Sequence, residues 1–149
     1  MAFITKTDLE THIYAELITE ITRGNDTNID KAIGSAISEA KMYLSRYNLL
    51  ALFGNATTDP TVVDEYLEHL RHLVTDIACW HLVKLSNPNI DLKLFRTLYE
   101  DAIKTLEKIM KGQATPEGWP YKADDPATES YNENASVQYS SNPKRTQHF

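Results

Sequence analysis

The chain has 149 residues, a formal net charge of −6, and a composition 42% hydrophobic and 24% charged. That length suggests one domain with enough apolar side chain for a real core. The acidic balance argues against a free-standing nucleic-acid binder, which usually carries a basic face. The single cysteine, Cys79, excludes an intrachain disulfide and gives no sign of an oxidising compartment. The N-terminus lacks the apolar stretch of a leader, and no apolar run reaches the roughly 18 residues that span a bilayer. A cytoplasmic protein, or one assembled in the cytoplasm, is the expectation, with no membrane.

The first 112 residues and the last 37 differ in kind. The body, 1–112, is rich in Leu, Ile and Ala. The segment 113–149 has no Leu or Ile, one Val, and four of the six prolines. Such a segment cannot offset its ordering entropy by itself, which predicts an extended, mostly irregular arm.

The body reads as four helices. Thr7 and Glu10 have capping-box spacing, and Leu9, Ile13, Leu17 and Ile21 then repeat at i+4. Arg23-Gly24-Asn25-Asp26 breaks that stripe. A second helix is predicted from about Asp30 to Tyr47, with Ile29, Ile33, Ala36, Ile37, Ala40, Leu44 and Tyr47 as its apolar face. Gly34 within it costs about 1 kcal/mol relative to Ala, which suggests close helix packing there. Asn48 to Thr58 reads as a loop with an apolar run, Leu49 to Phe53.

Asp59-Pro60 supplies an N-cap and a first-turn proline for the third helix. Its wide stripe, from Val63 through Leu70, Leu73 and Ile77 to Leu85, marks it as the central one. Ser86-Asn87-Pro88-Asn89 ends it. The fourth helix carries Leu92, Phe95, Leu98, Tyr99, Ala102, Ile103, Leu106, Ile109 and Met110, and Gly112 fits the C′ position. The fold class is therefore all-α: a four-helix bundle over 1–112 with an arm over 113–149.

Several patterns invite chemistry and have plainer explanations. His69, His72, Asp76 and Cys79 are spaced 3, 4 and 3 apart, so one helix face holds four metal-ligand types. The stripe around them is apolar and there is no second ligand cluster, so structural roles fit better. Cys79 reads as a small buried hydrophobe. Asp26 to Asp30 mimics the start of a calcium loop, but Lys31 and Ile37 stand where glycine and a bidentate glutamate are needed. Helix capping by Asn28 or Asp30 explains those residues. No glycine-rich phosphate loop and no nucleophile elbow is present. Glu16 with Glu20, and Glu65 with Glu68, read as charge on solvated faces. No enzyme, cofactor or metal is expected.

The arm is where a function shows. Trp119, Tyr121, Tyr131, Tyr139 and Phe149 space five aromatics along a polar strand. Aromatics dominate protein–protein hot spots. Ser136 to Ser140 alternates and can add to a neighbour's sheet edge.

The order of these stretches resembles the tailed-phage head–tail connector family (head completion, or adaptor, proteins), including Mu-like prophage members. The resemblance rests on Ile4-Thr5 to Leu9, on Asp26 to Asp30 followed by Ala32 to Ala40, and on Tyr43-Leu44-Ser45-Arg46-Tyr47 with Leu50 and Leu52. It continues in Asp76-Ile77-Ala78 with Leu82, in Tyr99 to Ile109 with Gly112, and in Ser141-Asn142-Pro143-Lys144-Arg145 to Phe149. It covers nearly the whole chain and is poorest from Trp119 to Gln138. Relatives often carry a proline near Ala51.

The resemblance implies a helical body, an extended C-terminal arm and no catalytic residues. It implies a homo-oligomeric ring, typically twelvefold, in the virion neck. The ring sits beneath the portal protein, against a tail or second neck protein, and DNA passes through its channel. The arm would supply adhesion through Trp119, Tyr121, Tyr131, Tyr139 and Phe149, with Lys144 and Arg145 pairing to acidic groups on the portal. The runner-up is a small helical phage-encoded regulatory protein that binds one host partner.

Overall fold

The computed structural model describes residues 3–85 and 91–123. The expected all-α class holds. Among the described residues there are six helices rather than four, and no strand: α1 (Lys6–Leu9), α2 (Ala15–Thr22), α3 (Asp26–Tyr43), α4 (Leu49–Phe53), α5 (Asp64–Val83) and α6 (Leu92–Met110). No described helix is long and apolar enough to cross a membrane.

The stripe Leu9, Ile13, Leu17, Ile21 is split between two short helices. The first is opened by Thr5, whose N–H and hydroxyl both donate to the Asp8 carboxylate at 2.6 and 2.8 Å. This capping box lies two residues before the one the sequence suggests. The chain then leaves the helix at Glu10 and places Ile13 in the core at 4% exposure.

Helix α3 starts four residues earlier than expected. Asn25 caps it by accepting from the Thr27 N–H at 3.1 Å, so Asn28 and Asp30 lie inside the helix. The run Leu49–Phe53, read as loop, is a short helix capped by the Asn48 side chain, which accepts from the Ala51 N–H. It buries Ala51, Leu52 and Phe53 and leaves Leu50 exposed. Asp59-Pro60 does not open α5. The Thr61 and Val62 N–H groups both donate to the Ala51 carbonyl, which holds that stretch against α4 and delays the helix to Asp64.

The central helix is α5, as its stripe foretold. It packs on both α3 and α6, and its residues 73–79 are all buried. Leu67, Leu70, Val74, Ile77 and Leu82 on α5 meet Ile29, Ala36 and Ala40 on α3, and Ala102, Leu106 and Ile109 on α6, in one continuous core. The alanines on α3 let the helix backbones approach, and the large side chains opposite fill the space between them.

Gly34 has no packing role. It is exposed, and a Cβ added there meets nothing within 4 Å. Its effect is then only the entropic cost of glycine within a helix. Gly34→Ala is expected to stabilise the protein by about 0.5–1 kcal/mol, read from chemical denaturation.

Candidate assembly surface

Helix α6 ends in a Schellman turn. The Gln113 N–H donates to the Lys108 carbonyl and the Gly112 N–H to the Ile109 carbonyl, with Gly112 at φ +71°. This turn sends the segment after α6 back over the body. The segment then lays Trp119 and Tyr121 onto the chain that follows α3.

Tyr47, 4% exposed, is the anvil for this contact. The Trp119 ring meets it edge-on at 5.5 Å, and the Tyr121 ring stacks on it at 5.0 Å with 15° between planes. The Trp119 indole N–H donates to the Tyr66 carbonyl at 2.8 Å. The backbones pair as well: the Asn48 N–H donates to the Pro120 carbonyl and the Lys122 N–H to the Arg46 carbonyl, both at 2.9 Å. Tyr47 and Tyr121 form an isolated antiparallel bridge. Burial, and then the neighbouring Tyr121 hydroxyl, push the Tyr47 phenol above its ordinary value.

Gly118 makes the approach possible. It sits at φ +75°, and a Cβ there would collide with the Tyr66 ring.

These contacts correct one sequence expectation. Trp119 is not free for a partner: it is 6% exposed and belongs to the body's own core. An indole next to a buried tyrosine and an open carbonyl is better satisfied inside its own chain than held out in water. Tyr121 remains 56% exposed, with one face spent on Tyr47 and the other open. Tyr131, Tyr139, Lys144, Arg145 and Phe149, and the alternating stretch 136–140, lie outside the described residues. The root of the arm is thus at 119–122, seven to ten residues beyond the composition break after residue 112.

The face of α5 with His69, His72, Asp76 and Cys79 does not converge as one cluster. His69 is exposed. Cys79 is buried at 2% exposure, and burial, aided by the Asp76 charge, pushes its thiol up to about 12. His72 and Asp76 do converge, with a residue the spacing could not reveal. His12, between α1 and α2, places Nδ1 2.8 Å from Asp76 Oδ1, while His72 Nε2 lies 3.7 Å from Asp76 Oδ2. The two imidazoles meet edge-on at 4.5 Å.

A second polar link ties three helices together. Glu39 on α3 accepts from the Tyr99 hydroxyl of α6 at 2.7 Å, and its other oxygen lies 2.7 Å from His81 Nε2 of α5. Glu39→Ala would strand both partners in a half-buried setting. It is expected to cost about 1–3 kcal/mol, read as a lowered denaturation midpoint. The accepting Glu39 carboxylate, with burial second, pushes the Tyr99 phenol up to about 12. A phenol kept neutral by folding adds stability in full below its unfolded value near 10. That contribution is lost as pH climbs through about 12.

Leu85 follows α5, and Leu92, Leu94 and Leu98 lie in the first half of α6, exposed by 37% to 60%. Of these, Leu94 and Leu98 are one turn apart and share a side of the helix.

The family model described as bacteriophage Mu, Gp36 matches residues 3–136 of this chain. No curated protein and no solved structure matches it.

Proposed function

This chain belongs to the bacteriophage Mu Gp36 family, and from that premise we propose that it is a non-enzymatic structural subunit of the phage particle, a head–tail connector. In this reading copies of the chain form a ring in the virion neck, joining the portal to the tail side and lining the DNA channel.

The observation that carries the reading is the family match, which spans the body and runs on to residue 136, into the arm. The geometry supports it. Three long helices around one core make a stiff block. A ring of such blocks needs two different faces that meet head to tail and close. Leu94 and Leu98, exposed one turn apart on α6, would contribute to one such face, and the chain beyond the Trp119–Tyr121 anchor would supply more contact. A net charge of −6 suits a channel wall past which DNA must slide without sticking.

Genetic removal tests this reading. A phage unable to make this chain should accumulate heads and tails that do not join, and supplying the chain from a plasmid should restore whole particles. Complete, infectious particles formed without the chain would overturn the proposal.

A further inference from the structure

The side chains of His12, His72 and Asp76 have an arrangement that a connector role does not explain. They come from two separate stretches of chain, sixty residues apart in sequence, and offer three ligand atoms within 4.8 Å of one another. We infer that they form a binding site for one divalent transition-metal ion of the zinc class, which ties the segment between α1 and α2 to the central helix.

The donor set fits that class. Two imidazole nitrogens and one carboxylate suit zinc, cobalt or nickel, whereas calcium and magnesium prefer all-oxygen shells. Zinc–ligand bonds of about 2.0–2.2 Å put the ligand atoms of a tetrahedral site roughly 3.3–3.5 Å apart. His12 Nδ1 lies 2.8 Å from Asp76 Oδ1 and His72 Nε2 lies 3.7 Å from Asp76 Oδ2, and one ligand atom from each residue falls within 4.8 Å of the others. The exposed His72 ring has room to turn inward and bring the three atoms to the tetrahedral spacing. On binding, the ion takes the place of the contact between His12 Nδ1 and Asp76 Oδ1. The neutral His12 ring then coordinates through the Nδ1 lone pair and keeps its one ring proton on Nε2.

Burial supplies the second argument. Asp76 is 8% exposed, on a stretch of α5 that is otherwise core. A buried carboxylate calls for positive charge beside it. Among the described residues, no lysine or arginine forms an ion pair with it; its partners are the two imidazoles. A dication meets that need. The His72 side chain is 60% exposed, so one side of the site is open for the ion to enter and for water to complete the shell.

The test uses the full chain, free of any polyhistidine tag. Cobalt(II) is titrated while the visible band of a tetrahedral complex is followed, and zinc stoichiometry is measured after equilibrium dialysis. The expected result is one ion per chain. It should raise the melting temperature on the order of 5–10 °C at one hundred times Kd. His12→Ala and His72→Ala should each weaken binding on the order of tenfold or more. His69→Ala, which removes an exposed imidazole one turn away on the same helix, should leave affinity unchanged. His72 is exposed enough that its variant folds, and circular dichroism checks this. Failure of the wild-type chain to take up cobalt or zinc at one per chain would overturn the inference. So would binding that survives both His12→Ala and His72→Ala.

Discussion

Trp119→Ala should destabilise the protein by about 3–5 kcal/mol, the range for emptying a buried indole site. That would be an effect of core size from a residue in a proline-containing segment outside every helix. Three losses combine. The indole is 6% exposed, so truncation opens a cavity against Tyr47. The Tyr66 carbonyl loses its 2.8 Å donor. The pairing of 46–48 with 120–122 loses the anchor that holds it in register. Trp119→Phe keeps most of the ring volume and gives up the hydrogen bond, so it should cost about 1 kcal/mol. Tyr121→Ala, which removes a half-exposed stack, should cost about 0.5–1.5 kcal/mol. Urea denaturation of the three variants gives the ranking directly. A Trp119→Ala protein as stable as the wild type would mean that the indole is not seated on the body.

The second large effect concerns where the chain is cut. Ending it at Ala123 keeps every contact described above. Such a protein should still fold, because the Trp119 and Tyr121 contacts are retained. It should also fail to rescue particle assembly, because the arm beyond its root is gone. Ending the chain at Gly112 removes Trp119 as well, uncovers Tyr47, and should cost several kcal/mol. Composition places the body's end at residue 112, which makes the second cut look harmless. The structure makes it a stability defect. Comparing both truncations by denaturation and by complementation separates folding from assembly. A 1–123 protein that rescues assembly would remove the arm from the account.

The long helices were legible because burial on one side leaves a 3.6-residue period. Val74, Ile77 and Leu82 on α5, and Ala102, Leu106 and Ile109 on α6, stand in the core as their spacing indicates. Short-range signals were less reliable where a tertiary contact competed. Asp59-Pro60 has the chemistry of a helix start, but the Ala51 carbonyl captures the next two N–H groups. Leu9 and Ile13 keep helical spacing across a stretch that is not continuous helix, and His12 within that stretch contacts Asp76 of α5.

The candidate sites were legible in part. The aromatic content of the arm was visible, but composition could not tell that Trp119 faces inward, since that depends on Tyr47 and Tyr66 more than fifty residues away. His72 and Asp76 were visible as an i,i+4 pair, whereas His12 is brought to them only by the fold.

Imaging purified particles by electron cryomicroscopy, with mass spectrometry of the same preparation, tests the connector role most directly. The account expects this chain in several copies, arranged as a closed ring between head and tail, with its arm against a neighbouring subunit or the portal. Particles that lack the chain, or that carry it away from the neck, would contradict it.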